Sequence, residues 1–167
     1  MGIRKKGGLL VVFVLAFLVW GGLRVAQAQG DTSWVGEYFN NASLSGAPVV
    51  VRSDQAIKFM WNLAAPDPAL PADRFSVRWT RAQFFTGGTY RFIARSDDGM
   101  RVYLDNVLIL DSWFDRAPDP PVIVEVSVTQ GQHALRVEYY ENSGAAVASL
   151  DWILVSSPGV ATWIAQY

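Results

Sequence analysis

Between Thr89 and Trp113 the chain reads TYRFIARSDDGMRVYLDNVLILDSW, with apolar side chains at every second position before a break at Asp97-Asp98-Gly99. Tyr90, Phe92 and Ala94 fall on one side and Arg91, Ile93 and Arg95 on the other. A strand produces that period of two and a helix does not. Ser96-Asp97-Asp98-Gly99 is expected to reverse the chain, the aspartates capping backbone N–H groups and Gly99 supplying a positive φ. Met100–Leu104 and Val107–Leu110 then read as two further strands around a turn at Asp105-Asn106.

The same alternation recurs on both sides. Trp34–Phe39 is a first strand, Val49–Arg52 and Ile57–Trp61 are short ones, and Phe75–Arg81 points Phe75, Val77 and Trp79 inward. Gly87-Gly88 is expected to turn the chain, and Thr129-Gln130-Gly131-Gln132 to close a hairpin. The flanking strands present Val122, Val124, Val126 and Val128 on one face, then Leu135, Val137 and Tyr139. Glu141–Gly144 reads as a loop, and Leu150, Trp152 and Leu154 share a face of the last strand. Short strands, glycine and proline turns, and no amphipathic helical stretch give an all-β antiparallel sandwich in a single domain over residues 32–156. Trp34, Trp79 and Trp152 are expected in its core.

Residues 1–28 read as a secretory signal: Arg4-Lys5-Lys6, an apolar run from Leu9 to Val19, and Ala26-Gln27-Ala28 at the cleavage site. The run is shorter than the roughly 20 residues of a spanning helix, so no membrane attachment is expected after cleavage. The product is then secreted or displayed at a cell surface. It has no cysteine, so no disulfide supports it. Of 14 Lys and Arg, four precede Ala28, leaving ten against 15 acidic residues and a net charge of −5. A chain of that sign offers no phosphate-binding face, which argues against nucleic acid.

Residues 157–167 begin with Ser157-Pro158-Gly159, a linker composition. Trp163-Ile164-Ala165-Gln166-Tyr167 then repeats the frame of Trp34-Val35-Gly36-Glu37-Tyr38. The tail reads either as the start of a second copy within a larger protein or as a segment packed back on this domain.

The run Ser-Asp-Asp-Gly-x-Arg-Val-Tyr-Leu-Asp-Asn, with Asp111 and Trp113 in register, resembles the core signature of the protective-antigen-type (PA-14) domain, an extracellular β-sandwich. WVGEYF followed by Asn40-Asn41, and Gly131-Gln132-His133 leading to Val137-Glu138-Tyr139-Tyr140 and Leu150-Asp151-Trp152, resemble its opening and closing sections. The resemblance covers about Trp34 to Val155.

Asp97 and Asp98 are the sharpest candidates for chemistry, because adjacent carboxylates at a turn repel and a hard cation with oxygen ligands relieves that repulsion. In sugar-binding members of the family the corresponding aspartates are joined by a cis peptide and hold calcium. The resemblance therefore implies a calcium site of Asp97, Asp98 and Asn142, with carbonyls of Gly144 and Ala146, completed by hydroxyls of a glycan. Those members place an aromatic residue where this chain has Ala146, so Trp113 and Tyr140 are the candidate sugar-stacking residues. A purely architectural turn, in which Asp97 and Asp98 only cap backbone N–H groups, stays open.

Other residues carry less. Asp105 belongs to a hairpin turn, Asp111 orders the turn before Trp113, Asp115 is expected to be solvated, and the single histidine, His133, is expected to be structural. Arg91, Arg95 and Arg101 read as a solvated strand face. Asn41-Ala42-Ser43 is formally a glycosylation sequon and reads more simply as a turn. No nucleophile elbow and no paired acid–base carboxylates stand out, so no enzyme is expected. The expectation is a secreted, calcium-assisted carbohydrate-binding module within a glycoside hydrolase or an adhesin. The alternative is a spacer or protein-interaction module in a tandem array.

Overall fold

The computed structural model describes residues 32–157. The signal expected over residues 1–28 and the repeat frame at Trp163–Tyr167 lie outside them. The eight strands are β1 (Trp34–Phe39), β2 (Val50–Asp54), β3 (Lys58–Asn62), β4 (Phe75–Asp97), β5 (Gly99–Leu104), β6 (Val107–Ser112), β7 (Val122–Glu141) and β8 (Ala146–Ser156). Every pairing between them is antiparallel.

Two expected turns are absent. Gly87-Gly88 lies inside β4 and Thr129–Gln132 inside β7, and the two strands form one ladder from Phe75↔Glu141 to Ala94↔Val122. A glycine pair signals a turn by local rules. Here Gly87 (φ 82), Gly88 (φ 123) and Gly131 (φ 145) occupy facing stretches of the ladder, and their freedom bends both strands without interrupting them.

That bend makes the sandwich. One leaf runs β2-β1, then the first half of β4, the second half of β7, β5 and β6. The second half of β4 pairs with the first half of β7 on one side and with β8 on the other, and β8 carries β3. Between the leaves Phe59 stacks on Trp79 with ring centroids 5.6 Å apart, and Trp61 approaches Tyr139 at 5.9 Å. Trp34 and Trp79 are buried as expected, whereas Trp152 is only partly covered and meets Trp34 edge-on at 6.4 Å.

A buried carboxylate ties this core together. Asp54 accepts hydrogen bonds from Tyr38 Oη (2.7 Å), Trp79 Nε1 (2.8 Å) and Arg52 Nε (2.9 Å). Arg52 Nη2 also donates to Tyr38 Oη at 2.7 Å, so a charge taken from water is met on each side. Burial, then the neighbouring Asp54, raises the Tyr38 hydroxyl far above its ordinary range.

Candidate functional site

β4 and β5 are not neighbours in either leaf, so Asp97-Asp98 does not close a hairpin. It carries the chain from one leaf, where Asp97 pairs with Val147, to the other, where Gly99 pairs with Tyr140. The Asp97–Asp98 peptide is cis. Gly99 does not have the positive φ expected of it. Its necessity is steric: a Cβ there would lie 2.1 Å from Tyr140 Cε1.

Asp98 is buried, and both its oxygens accept backbone N–H groups, from Asn142 at 2.9 Å and Arg116 at 3.2 Å. The capping expected of this turn is therefore present, though its donors come from distant loops. Asp97 presents its backbone carbonyl to Tyr139 Oη. Its carboxyl is raised above the usual range, by burial first and then by Asp98, with Arg116 acting against.

The third carboxylate is Glu141, expected at the start of a loop. It is the last residue of β7 and has no exposure. Its phase was legible, because Leu135, Val137, Tyr139 and Glu141 share the inward side of one strand. Glu141 Oε2 accepts from Tyr139 Oη at 3.1 Å, while Oε1 is buried without a hydrogen-bond partner. Burial, then the charge of Asp98, pushes its carboxyl up to about 7, against the lowering by Tyr139. One carboxylate oxygen from each of Asp97, Asp98 and Glu141 lies within 4.8 Å of the others. An all-oxygen set with an unpartnered buried member fits a hard cation.

Asn142 sits at the same place with its side chain turned outward: Nδ2 donates to Asp115 Oδ2 at 2.8 Å. Asp115, exposed as expected, also accepts from Tyr140 Oη at 2.7 Å, and these two bonds hold its carboxyl below the usual range. No local pattern marks Asp115, since its partners are 25 and 27 residues away. Tyr140 meets Trp113 edge-on at 4.7 Å, and the Arg101 guanidinium lies 3.9 Å above the Trp113 ring. The two proposed stacking residues are thus together, beside the carboxylates. Ala146 is buried in the core and Gly144 N–H donates to Asp73 at 3.0 Å.

The remaining candidates are structural. His133 Nδ1 is 2.6 Å from Asp105 Oδ2, and Asp105 Oδ1 accepts Ala134 N–H at 2.9 Å. Asp111 accepts Trp113 N–H at 3.2 Å. Asn41 Oδ1 accepts the N–H groups of Ser43 and Ser45, which is the turn reading of the sequon. The strand-face arginines are solvent-accessible as expected and also paired: Arg91 with Glu125 (2.6 Å), Arg95 with Asp119, and Arg101 with Glu138 (3.3 Å).

Over 118 residues the chain is 34% identical to the anti-sigma-I factor RsgI3 of Acetivibrio thermocellus, a match covering 70% of this chain and 18% of that protein. Among solved structures, an anti-sigma factor domain-containing protein is 32% identical with a TM-score of 0.68, over 76% of this chain and 44% of that one. The chain thus spans less than half the length of either relative. A PA14 sugar-binding domain from an RTX adhesin shares the fold at 16% identity and a TM-score of 0.62, over 73% of this chain and 89% of that one. The family model for the PA14 domain matches residues 30–159, most of the sequence and all of the described sandwich, and the chain belongs to the PA14 domain family.

Proposed function

We propose that this domain is a carbohydrate-binding module that holds a glycan through calcium and performs no catalysis. The observation that carries the reading is Glu141 Oε1, a buried and unpartnered oxygen among the carboxylates of Asp97 and Asp98. Calcium takes six to eight oxygens, so three carboxylates leave room for sugar hydroxyls. Trp113 and Tyr140 stand next to the cluster and supply an aromatic edge for the apolar face of a sugar ring. The sugar-binding domain of the RTX adhesin has the same fold, which is compatible with that use.

Asp98 is occupied in capping two backbone N–H groups and Asp115 in accepting from Tyr140 and Asn142, so neither is set as an acid–base pair across a cleft, which supports binding over turnover. The match to part of an anti-sigma factor fits a module attached to a larger protein. The spacer alternative draws on the two backbone donors to Asp98, and it leaves Glu141 Oε1 without a role. A glycan array probed with calcium and again with EDTA tests the reading. Calcium-dependent retention is expected, and identical blank arrays under both conditions would exclude it.

A further inference from the structure

Asn142 also borders an open groove of about 680 Å³, walled with it by Asn40, Asn41, Ser43, Pro71, Asp73 and Arg74. Its walls are built before any ligand arrives. Asn41 and Ser43 hydrogen-bond to each other, Asp73 accepts Gly144 N–H at 3.0 Å, and Ser76 Oγ ties the Asn41 carbonyl to β4 at 2.6 Å. Two heads in the groove remain uncommitted. The Asn40 side chain has no hydrogen bond, and Arg74 has neither hydrogen bond nor ion pair, whereas every other lysine and arginine among the described residues has one or the other. Arg74 also holds a φ of 60°, in the left-handed region that a long side chain visits at a cost. A solvated guanidinium with no protein partner, on the wall of a groove of ligand-binding size, is placed to donate to a ligand lying there.

Building on the glycan reading above, we propose that the ligand is an oligosaccharide chain rather than a single terminal sugar. One residue occupies the carboxylate cluster, and the chain continues past Asn142 into the groove, where Asn40 and Arg74 donate to the hydroxyls of later residues. Asn142 is the shared post, since it borders the groove and also contacts Asp98 and Asp115.

Calorimetric titration with cello-, xylo- and galacto-oligosaccharides, from single sugars to hexasaccharides in calcium, tests this. The wild-type affinity for the retained series should rise roughly tenfold or more between the monosaccharide and the tetrasaccharide. Arg74→Asn removes the cation while tolerating the left-handed backbone, and it should flatten that rise and leave the monosaccharide affinity unchanged. Calcium-dependent binding of equal strength at every length, or a rise that persists in Arg74→Asn, would overturn the inference and leave the glycan reading standing. Failure to bind any length would remove both.

Discussion

Gly99 lies flat beneath the ring of Tyr140: a methyl group at Gly99 would come within 2.1 Å of Tyr140 Cε1 and 2.8 Å of Cδ1. The ring cannot step aside freely, because its hydroxyl is bonded to Asp115 and its edge meets Trp113. Gly99→Ala should therefore destabilise the fold by about 1–3 kcal/mol through overpacking. Tyr140→Ala should relieve most of that loss. Urea denaturation of the two single variants and the double variant measures the coupling, and additive losses would show that the contact is not the cause.

Calcium should raise the melting temperature of the wild-type domain and leave Glu141→Gln unmoved. A ligand binding only the native state at a hundredfold excess over its Kd adds about 2.7 kcal/mol. Glu141 is a cleaner site for this test than Asp98, whose loss would also free two backbone N–H groups. Superimposable melting curves in calcium and in EDTA would count against the site.

In EDTA the pH dependence should run opposite to that of a salt-bridged carboxylate. The Glu141 carboxyl is raised from its ordinary 4.5 to about 7 in the folded protein, so the native state holds its proton more tightly than the unfolded chain. Its contribution to stability is full below about pH 4.5 and is lost as pH rises through about 7. Asp115 and Asp105, held low by their hydrogen bonds, act in the other direction at lower pH. The difference in denaturation midpoint between wild type and Glu141→Gln isolates the Glu141 part. It should favour the wild type most at acid pH, and a flat difference from pH 4 to 8 would refute the assignment.

Asp54→Ala should be among the most damaging single changes outside the site. It leaves the Tyr38 hydroxyl and the buried Trp79 N–H without their acceptor and takes the carboxylate partner from Arg52, which keeps only its bonds to Tyr38 and the Pro66 carbonyl. Breaking a buried, paired charge costs about 3–5 kcal/mol, a large part of the ~5–15 kcal/mol that holds a domain folded. Circular dichroism melting is the measurement, and a loss below about 1 kcal/mol would show that water replaces the carboxylate.

The strands were legible because burial on one face writes itself as alternation, and β5, β7 and β8 each keep that pattern. Asp97 and Asp98 were legible because two adjacent carboxylates in a turn are chemically conspicuous. The glycines mislead for a common physical reason: sequence shows the freedom of a glycine but not its use. Gly87 and Gly131 use it to bend long strands, and Gly99 uses only its missing side chain. The hydrogen bonds of Asp115 are illegible in sequence because its partners arrive through the tertiary fold. Glu141 was legible in principle, as a charge in phase with three inward apolar residues, and such a phase violation marks a buried functional group better than its flanking loop composition does.

Trp34, where β1 begins, touches Trp152 near the exit of β8, while Phe39 and Val147 sit at the opposite pole with the carboxylates. Polypeptide joined before Ser33 or after Ser156 therefore departs from one base, and the carboxylate pole lies at the other end. Neighbouring domains can lengthen the tether without shading that pole. Several copies strung along one chain would each keep a free tip, and the tips could seize the same polymer at once. Their combined grip would then be set by linker length and local concentration more than by the strength of any single tip.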